Sequence, residues 1–589
     1  MTGSAANTAW ARGLIDELAR AGLREVVVAP GSRSTPLVMA CAADPRLRVR
    51  VHLDERSCAF FALGVGKATG RAAAVVTTSG TAVANLYPAV IEASQSGVPL
   101  LILSADRPPR LRGADANQAI DQVHMFGRYP RAFFELAEPS MDPRALRHLR
   151  GLAARAWAAA CGHRAGPVHL NIPFDKPLEP TNPPSELVTV DRIAFGGRDG
   201  DAPLVEIDSA RPRASDAVVS DLIKQVRGRS GVVVAGPSED ADRLGPAVRR
   251  FASATGFPLL ADPLSGARFG FDDGVNAVTA YDLFLRDESV RERLVPDLVV
   301  RIGASPTSAA LQRWLFQATS ATQIVIDDGP RWKDHGGTAS SYIVADAADA
   351  LDRLAAECMP PQDRGRLAIL EEWARADAAA REALAALSAE DLGECGVAAS
   401  VVAALPAGAS LMISSSMPIR DLDAFAPPGE VPVSVLSSRG ASGIDGVAST
   451  AFGVASQREG PTVLVIGDVA LFHDQTSLLW SRERDAPLVI VLVDNDGGAI
   501  FGMLPIAGYD PDFTTYFTTP HGLDLSQVGR AYGIEVHDVP MSGVEGAVRE
   551  AVRAGKTTLL HVRSVREDGH LRRATARNAV IERVRAVLG

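Results

Sequence analysis

Two short apolar segments in the last third of the chain constrain the fold more than any other feature. The first, 463–466, runs into Gly467-Asp468, and the second, 487–493, runs into Asp-Asn-Asp-Gly-Gly. A stretch of helical length joins them, so the pattern predicts a βαβ unit with two buried parallel strands. Because open α/β sheets bind ligands at the carboxyl ends of their strands, we expect Asp468 and Asn495 to lie together at one edge.

These two turns have two interpretations. A carboxylate and an amide flanked by glycines form a donor set that suits a hard divalent cation holding a phosphate. Gly-Asp and Asn-Asp-Gly-Gly are also ordinary turn sequences when each is taken by itself. On these residues alone, a metal site and a pair of plain turns both stay open.

Apolar segments of strand length recur through the whole chain and alternate with helical segments, which predicts an α/β protein with doubly wound parallel sheets. Strands are predicted at 26–28, 49–53, 73–77, 99–103, 232–236, 298–302, 324–328, 411–413, 433–435, 463–466 and 487–493. Segments rich in proline, glycine and charge at 177–212 and 358–366 are typical of linkers. The first block and the last block share one order of elements, which suggests a ligand held between two similar sheets.

Composition limits the classes of partner. The 589 residues carry a formal net charge of −10, which predicts no general attraction to nucleic acid or to an anionic membrane. No apolar run approaches the ~18–20 residues that cross a bilayer, and the first residues lack a signal-peptide pattern, so no stable membrane insertion is expected. Five scattered cysteines without CxxC spacing favour a reducing compartment. A cytoplasmic location is therefore predicted.

Four arginines follow predicted strands, namely Arg33, Arg107, Arg420 and Arg439. Arginine binds carboxylates through two parallel hydrogen bonds, so four arginines converging on one rim predict an acidic substrate. Each of them, taken singly, is equally compatible with a surface salt bridge.

Seven motifs together resemble a known family. They are APGSRSTPL (29–37), HLDERSCAFFALG (52–64), TTSGTAVANLYPAV (77–90), SADRPP (104–109), ANQAIDQ (116–122), SRGASGIDG (438–446) and NDGGAIFGMLP (495–505). The chain resembles thiamine-diphosphate (ThDP) enzymes and, more narrowly, the 2-succinyl-5-enolpyruvyl-6-hydroxy-3-cyclohexene-1-carboxylate (SEPHCHC) synthases of menaquinone biosynthesis. The motifs fall at both ends of the chain, whereas the middle block is matched mainly by position.

The resemblance implies an architecture and cofactors. Three doubly wound domains are expected: a PYR domain that binds the aminopyrimidine (1–185), a middle domain (186–365) and a PP domain that binds the diphosphate and its metal (366–589). The implied cofactors are thiamine diphosphate and Mg²⁺, with Mn²⁺ as an alternative metal. The implied assembly is a homodimer, or a dimer of dimers, with active sites shared between subunits.

The resemblance assigns the catalytic role to Glu55. In ThDP enzymes such a glutamate hydrogen-bonds the aminopyrimidine and promotes the imino form that deprotonates the thiazolium C2. A carboxyl group in this role should be desolvated, which raises its pKa. Glu55 follows an apolar strand and precedes Cys58, Phe60 and Phe61, in agreement with such a setting. An acidic residue at a helix start is also favoured by the helix dipole alone.

The same resemblance implies the metal and cofactor contacts. Mg²⁺ would be held by the side chains of Asp468 and Asn495 and by the Gly497 carbonyl. Thr78, Ser416 and Ile444 would contact the cofactor, Ile444 as the apolar prop of its bent form or, alternatively, as a plain core residue. Two departures from the family motif leave the preferred metal open, because Val469 replaces a glycine and Asp494 stands where asparagine is common.

The implied substrates, 2-oxoglutarate and isochorismate, are both dianions. The residues expected to contact them are Ser32, Arg33, Arg107, Asn117, Gln118, Ser416, Arg420 and Arg439, with an apolar wall formed by Ile500, Phe501 and Leu504. Another departure concerns a basic pair that the family often carries after the strand at 298–302. Here the pair is Ala309-Ala310, so either Arg313 substitutes or the isochorismate contacts are supplied elsewhere.

The implied reaction is a transfer: decarboxylation of 2-oxoglutarate, then conjugate addition of the succinyl carbanion equivalent to isochorismate, giving SEPHCHC and CO₂. One alternative is another ThDP-dependent 2-oxo acid decarboxylase or carboligase, such as an acetohydroxyacid synthase-like enzyme, which needs fewer arginines. The other is a non-catalytic regulatory protein with the ThDP fold. That protein would be expected to lack Glu55 or the metal ligands, and both are present.

Overall fold

The computed structural model describes residues 2–270, 275–329, 331–360 and 363–589. These residues contain three six-stranded parallel sheets, so the predicted α/β class with three doubly wound sheets is confirmed. The chain forms two compact units: a first unit of residues 1–210, 438–457 and 474–486, and a second unit of 211–437, 458–473 and 487–589. Within the described residues, no helix is long and apolar enough to cross a membrane.

The first sheet belongs to the first unit. Its strands are β1 (Glu25–Val28), β2 (Arg48–Val51), β3 (Ala73–Thr77), β4 (Leu100–Asp106), β5 (Ala132–Glu135) and β6 (Pro167–Pro173). They lie in the order β2-β1-β3-β4-β6-β5. The helices around them are α1 (Thr2–Ala21), α2 (Thr35–Ala43), α3 (Glu55–Thr69), α4 (Thr81–Ala84), α5 (Tyr87–Ser96), α6 (Pro143–Cys161), α7 (Ser185–Val190) and α8 (Arg192–Gly196). The central strands β1, β3 and β4 are buried along their whole length, because helices cover both faces of a parallel sheet.

The middle sheet belongs to the second unit. Its strands are β7 (Gly231–Ala235), β8 (Leu259–Ala261), β9 (Ala277–Val278), β10 (Leu298–Ile302), β11 (Thr322–Ile326) and β12 (Ser341–Ile343), in the order β12-β11-β10-β7-β8-β9. The helices of this block are α9 (Asp216–Val226), α10 (Ala241–Thr255), α11 (Tyr281–Phe284), α12 (Glu288–Arg293), α13 (Ala309–Gln317), α14 (Ala347–Glu357) and α15 (Arg364–Ala385). The rings of Trp314 and Trp373 meet edge to face, with their centroids 5.4 Å apart, in the hydrophobic core on one side of the middle sheet.

The third sheet also belongs to the second unit. Its strands are β13 (Ser410–Ile413), β14 (Ser434–Leu436), β15 (Thr462–Gly467), β16 (Leu488–Asp494), β17 (Glu535–Asp538) and β18 (Thr558–Arg563), in the order β14-β13-β15-β16-β18-β17. The remaining helices are α16 (Ala389–Leu392), α17 (Val397–Ala404), α18 (Met417–Phe425), α19 (Val447–Ala455), α20 (Asp468–His473), α21 (Leu525–Ala531), α22 (Val544–Ala554) and α23 (Arg566–Leu588). Of these, α19 lies in the first unit.

Some predicted elements differ from the observed ones. The single helix expected between the two apolar segments is two pieces, α20 and a 3₁₀ helix at Gln475–Arg482. They are separated at Asp474, a buried residue whose carboxylate accepts hydrogen bonds from Ser449. The segment predicted as a linker at 177–212 contains the short helices α7 and α8. The second predicted linker, 358–366, includes 361–362, which lie outside the described residues.

Candidate active site

The two turns predicted to bind a metal lie side by side in the second unit. β15 and β16 are neighbours, with Gly467 opposite Val493, so Asp468 and Asn495 follow adjacent strand ends as expected. The Asp468 side chain is buried, and its Oδ2 accepts a hydrogen bond from the Gly497 backbone N–H at 2.8 Å. Burial raises the pKa of this carboxyl group above its ordinary value, so a cation beside it would favour the charged form.

Asn495 and Gly497 belong to the turn whose backbone donates to Asp468. The Asn495 Nδ2 donates to Glu394 Oε2 at 2.9 Å, whereas its Oδ1 is buried and has no hydrogen-bond partner among the described residues. Gly497 has φ +130°, and a Cβ there would overlap the Thr518 carbonyl oxygen, so only glycine fits. A carboxylate, an unpartnered amide oxygen and a glycine carbonyl are the ligands that Mg²⁺ prefers. The chemistry of this donor set therefore fits the metal of the implied cofactor.

The departure at Asp494 has a structural counterpart. Its Oδ2 lies 2.8 Å from His561 Nε2, and its Oδ1 accepts from the Asp496 backbone N–H at 3.2 Å. The other ring nitrogen of His561 lies 2.9 Å from Asp538 Oδ1. Burial raises the pKa of Asp494, but the contacts with His561, the Asp496 backbone N–H and His521 together outweigh burial, and the net shift of the pKa is downward. Asp494 is thus an ionised carboxylate with its own partner on β18.

The departure at Val469 is accommodated by the local backbone. Val469 is the second residue of α20, where the helical conformation accepts any L-residue, and its N–H donates to Asp468 Oδ1 at 2.7 Å. His521 lies beside Asp468, with its Nε2 3.3 Å from Asp468 Oδ2. Ligand atoms of Asp468, Asp494 and His521 lie within 4.8 Å of one another. Sequence reasoning missed His521, since a lone histidine in a polar loop carries no spacing signal.

Glu55 is the first residue of α3, in the first unit. The N-cap Asp54 accepts hydrogen bonds from the backbone of Arg56 and Ser57, which fixes the start of the helix. The second oxygen of Asp54 accepts from Thr476 Oγ1 at 2.6 Å. Glu55 is half-buried in the single chain. The turn that presents the predicted catalytic carboxylate is therefore held from two sides.

A buried polar network continues beneath this turn. Trp480 Nε1 donates to Ser57 Oγ at 2.9 Å, Ser57 and Ser449 share a hydrogen bond at 2.8 Å, and Ser449 Oγ donates to Asp474 at 3.0 Å. Burial raises the pKa of Asp474 to about 7. No sequence pattern indicates this network, because its members are separated by up to 423 positions.

We expect Asp474→Asn to stabilise the protein more at alkaline pH than at about pH 5. The folded-state pKa, about 7, lies above the unfolded value, so the carboxyl group favours folding at low pH. This contribution is lost as the pH rises from the unfolded value of about 4 to the folded value of about 7. Asparagine avoids the loss because it carries no charge, and its amide can accept from the Ser449 backbone N–H and donate to Ser449 Oγ. The free energy of unfolding at about pH 8.5 should rise by about 2–4 kcal/mol. Unfolding curves at both pH values measure this change in the free energy of unfolding, with the exposed Asp512→Asn as control. Equal gains in stability at the two pH values would contradict the prediction.

Arg33 and Arg107 are the most informative of the four predicted substrate arginines. Both are only 8% exposed, although they follow the ends of β1 and β4. Arg33 donates to the Phe174 carbonyl oxygen at 2.8 Å, and Arg107 donates to Ser79 Oγ and to the Asn117 carbonyl oxygen. Burial lowers the pKa of both guanidinium groups, and the charge of Arg107 lowers the pKa of Arg33 further. Within the described chain neither forms an ion pair, so the surface-salt-bridge interpretation fails for these two.

The neighbouring turns of the first unit carry the other predicted residues. A Cβ at Gly31 would overlap the Thr78 side chain, so the turns after β1 and β3 touch. Thr78 is buried, whereas Ser32 is exposed. Asn117 and Gln118 are exposed, and Gln118 Nε2 donates to the Ser79 carbonyl oxygen at 2.9 Å. The structure thus brings Arg107, Asn117 and Gln118 together around Ser79.

The remaining predicted residues divide between the units. In the second unit, Ser416 precedes α18 with φ +75°, and the Arg420 side chain donates to its carbonyl oxygen. In the first unit, Arg439 and Ile444 are half-buried, and the backbone after Arg439 is held by hydrogen bonds to the Glu92 carboxylate. The convergence of all four arginines on one rim stays a prediction.

The predicted apolar wall lies in a 3₁₀ helix and the turn after it, Ala499–Met503 and Leu504. Ile500 is half-buried, while Phe501 and Leu504 are exposed in the single chain. Phe501 meets Phe517 edge to face at 6.0 Å. Arg313, the suggested substitute for the missing basic pair, is exposed on α13, so the structure leaves that choice open.

Comparison with known proteins agrees with the geometry. Three family models match: "Thiamine pyrophosphate enzyme, N-terminal TPP binding domain" at 9–125, "Middle domain of thiamine pyrophosphate" at 202–413, and "Thiamine pyrophosphate enzyme, C-terminal TPP binding domain" at 426–562. The chain is 43% identical to the SEPHCHC synthase of Halobacterium salinarum over 97% of its own length and 98% of the relative's. It is 42% identical to the SEPHCHC synthases of Roseiflexus castenholzii (98% and 99% covered) and Myxococcus xanthus (95% of each).

Proposed function

Because the chain belongs to the thiamine-diphosphate-dependent SEPHCHC synthases, we propose that it decarboxylates 2-oxoglutarate and adds the succinyl unit to isochorismate, giving SEPHCHC and CO₂. It is a transferase of menaquinone biosynthesis. One observation supports an acidic substrate above all. Arg33 and Arg107 are buried at the carboxyl edge of the first sheet, and neither has a carboxylate partner. A buried unpaired cation is costly, and an acidic substrate would relieve that cost.

The second unit would hold the metal and the diphosphate. Asp468, Asn495 through Oδ1 and Gly497 through its carbonyl would bind Mg²⁺ or Mn²⁺ and, through that cation, hold the diphosphate. Bound thiamine diphosphate supplies an electron sink at its thiazolium ring. Thr78, Ser416 and Ile444 would contact the cofactor.

The chain's own residues do the positioning and the proton handling. Glu55, fixed at the start of α3, would hold the proton shared with the aminopyrimidine ring. Arg33, Arg107, Arg420 and Arg439 would orient the substrate carboxylates, with Ser32, Asn117, Gln118 and Ser416 as neutral partners. Ile500, Phe501 and Leu504 would exclude water, so that the decarboxylated unit meets isochorismate rather than a proton.

A substrate comparison tests this function against the alternatives. CO₂ release from 2-oxoglutarate and from pyruvate would be measured with ThDP and Mg²⁺, with and without isochorismate. We expect 2-oxoglutarate to be preferred and SEPHCHC to form only with isochorismate. Faster turnover of pyruvate would instead identify an acetohydroxyacid synthase-like enzyme, and cofactor binding without turnover would identify a regulatory protein.

We further propose a homodimer, or a dimer of such dimers, whose sites combine Glu55 of one chain with Asp468 of another. Large apolar side chains are exposed in the single chain, including Leu53 (74%), two residues before Glu55, and Leu504 (50%) and Tyr516 (72%), which follow Gly497 in the sequence. Clustered exposed apolar residues mark interaction surfaces, and a two-fold axis would pair the same patches twice. A cytoplasmic location is part of the same proposal.

Co-expression of two inactive variants tests the shared site. A heterodimer of Glu55→Gln and Asp468→Asn chains has one site with both changes and one with neither. Random pairing makes half of the dimers mixed, so we expect about 25% of wild-type activity from a two-fold assembly. Each variant alone is the control. Activity no higher than that of the controls, with mixed dimers shown to be present, would contradict the shared site.

A further inference from the structure

The orientation of the Asn495 side chain requires an explanation. The two ends of an amide have nearly the same shape, but only the oxygen can bind a cation, since the NH₂ group is purely a donor. If the amide were reversed, its hydrogens would face the metal. Something outside the metal site must therefore distinguish the two ends.

Glu394 makes that distinction. Its Oε2 accepts a hydrogen bond from Asn495 Nδ2 at 2.9 Å, across 101 positions of sequence. A carboxylate accepts hydrogen bonds only, so the NH₂ end must face it and Oδ1 must point away. This is the oxygen that is buried without a hydrogen-bond partner among the described residues. The Glu394 residue itself is only 4% exposed.

Glu394 is in turn held in one position. Its Oε1 lies 3.0 Å from Arg573 Nη1, and Arg573 makes a two-pronged ion pair with Asp421 at 2.8 and 2.6 Å. A Cβ at Gly569 would overlap Glu394 Oε1, so glycine at this place on α23 leaves room for the carboxylate. The chain Asn495–Glu394–Arg573–Asp421 thus joins the end of β16 to α23 and α18.

We infer that Glu394 is a positioning residue of the metal site, which fixes the Asn495 amide with its oxygen toward the cation. This inference rests on the metal ligands of the proposed function. The rival role for Glu394 is a purely structural one, as a partner of the buried Arg573. Partners of ligating side chains typically change metal affinity by about 10–100-fold when they are removed.

A double-mutant cycle separates the two roles. Mg²⁺ affinity would be measured by calorimetry in the presence of ThDP, with Glu390→Gln, an exposed neighbour, as control. Glu394→Gln can present either end of its own amide, so we expect Mg²⁺ binding to weaken by about 10-fold. In an Asn495→Asp background, where two carboxylates face each other, the same Glu394→Gln change should strengthen Mg²⁺ binding, because glutamine can donate to the new carboxylate.

The sign of the effect decides the outcome. Weaker binding beside Asn495 and stronger binding beside the aspartate support the positioning role. Weakening of similar size in both backgrounds, or no change beside Asn495, would overturn it in favour of the structural role. Asn495→Ala serves as a separate check: unchanged Mg²⁺ affinity in that variant would show that Asn495 is no ligand, and both the proposed metal site and this inference would fail. Circular dichroism of each variant establishes that it is folded.

Discussion

Replacement of Glu55 by glutamine should lower turnover by about 10³-fold, within the range that general acid–base groups contribute. Glutamine has the same shape and can still hydrogen-bond the cofactor ring, but it cannot hold and release the proton. Asp54 caps α3 through its own carboxylate, so the position of residue 55 should not change. We therefore expect ThDP affinity within a few-fold of the wild type, and an effect confined to the rate.

The measurement is CO₂ release from 2-oxoglutarate at saturating ThDP and Mg²⁺, together with calorimetric ThDP binding. Glu186→Gln, an exposed residue of the same unit, is the matched control and should behave as wild type. Turnover within tenfold of wild type would remove Glu55 from the catalytic role. Loss of ThDP binding together with turnover would assign it a binding role instead.

The second large effect is expected for Asp468→Asn. A change to a partner of a metal ligand costs about 10–100-fold in affinity, so loss of the charged ligand itself should weaken Mg²⁺ binding by about a hundredfold or more. The buried carboxyl group already has a raised pKa because of desolvation. Removing its charge relieves that desolvation, but the asparagine NH₂ would face one of the two backbone N–H groups that donate to Asp468, so the cofactor-free variant serves as the baseline for its own cofactor-dependent shift.

This combination gives Asp468→Asn a distinctive thermal signature. Ligands that bind only the folded state raise its stability according to their concentration over Kd. Wild type should gain stability on addition of ThDP and Mg²⁺, whereas the variant should gain little at the same concentrations. Asp512→Asn, on the exposed surface, controls for a charge change in the same unit. A full cofactor-dependent shift in the variant would show that Asp468 is not a metal ligand.

The parts of this structure that follow from local sequence were predictable. The strands β15 and β16 are buried on both faces, so their β-branched apolar segments stand out, and neighbouring parallel strands bring Asp468 and Asn495 to one edge. Glu55 was found only through resemblance, because Asp-Glu at a helix start is common for reasons of capping and dipole alone.

The supporting residues could not be predicted in the same way. Glu394 lies in a short 3₁₀ turn 101 positions before its partner Asn495, and His561 lies 67 positions after Asp494. Neither has a periodic or spacing signal, since these contacts depend on how distant elements pack. The prediction of one continuous helix after Asp468 was wrong for a similar reason, because Asp474 is buried against Ser449 and interrupts the helix.

The His561 side chain has a consequence for how this family can vary. It lies between the carboxylates of Asp494 and Asp538, on the strand β18 that pairs directly with β16 and β17. An aspartate at 494 without that imidazole would place an uncompensated negative charge beside the metal loop. Across relatives, aspartate at this position should therefore co-occur with histidine at the position of His561, whereas asparagine should release the constraint. We therefore expect the two positions to be exchanged together.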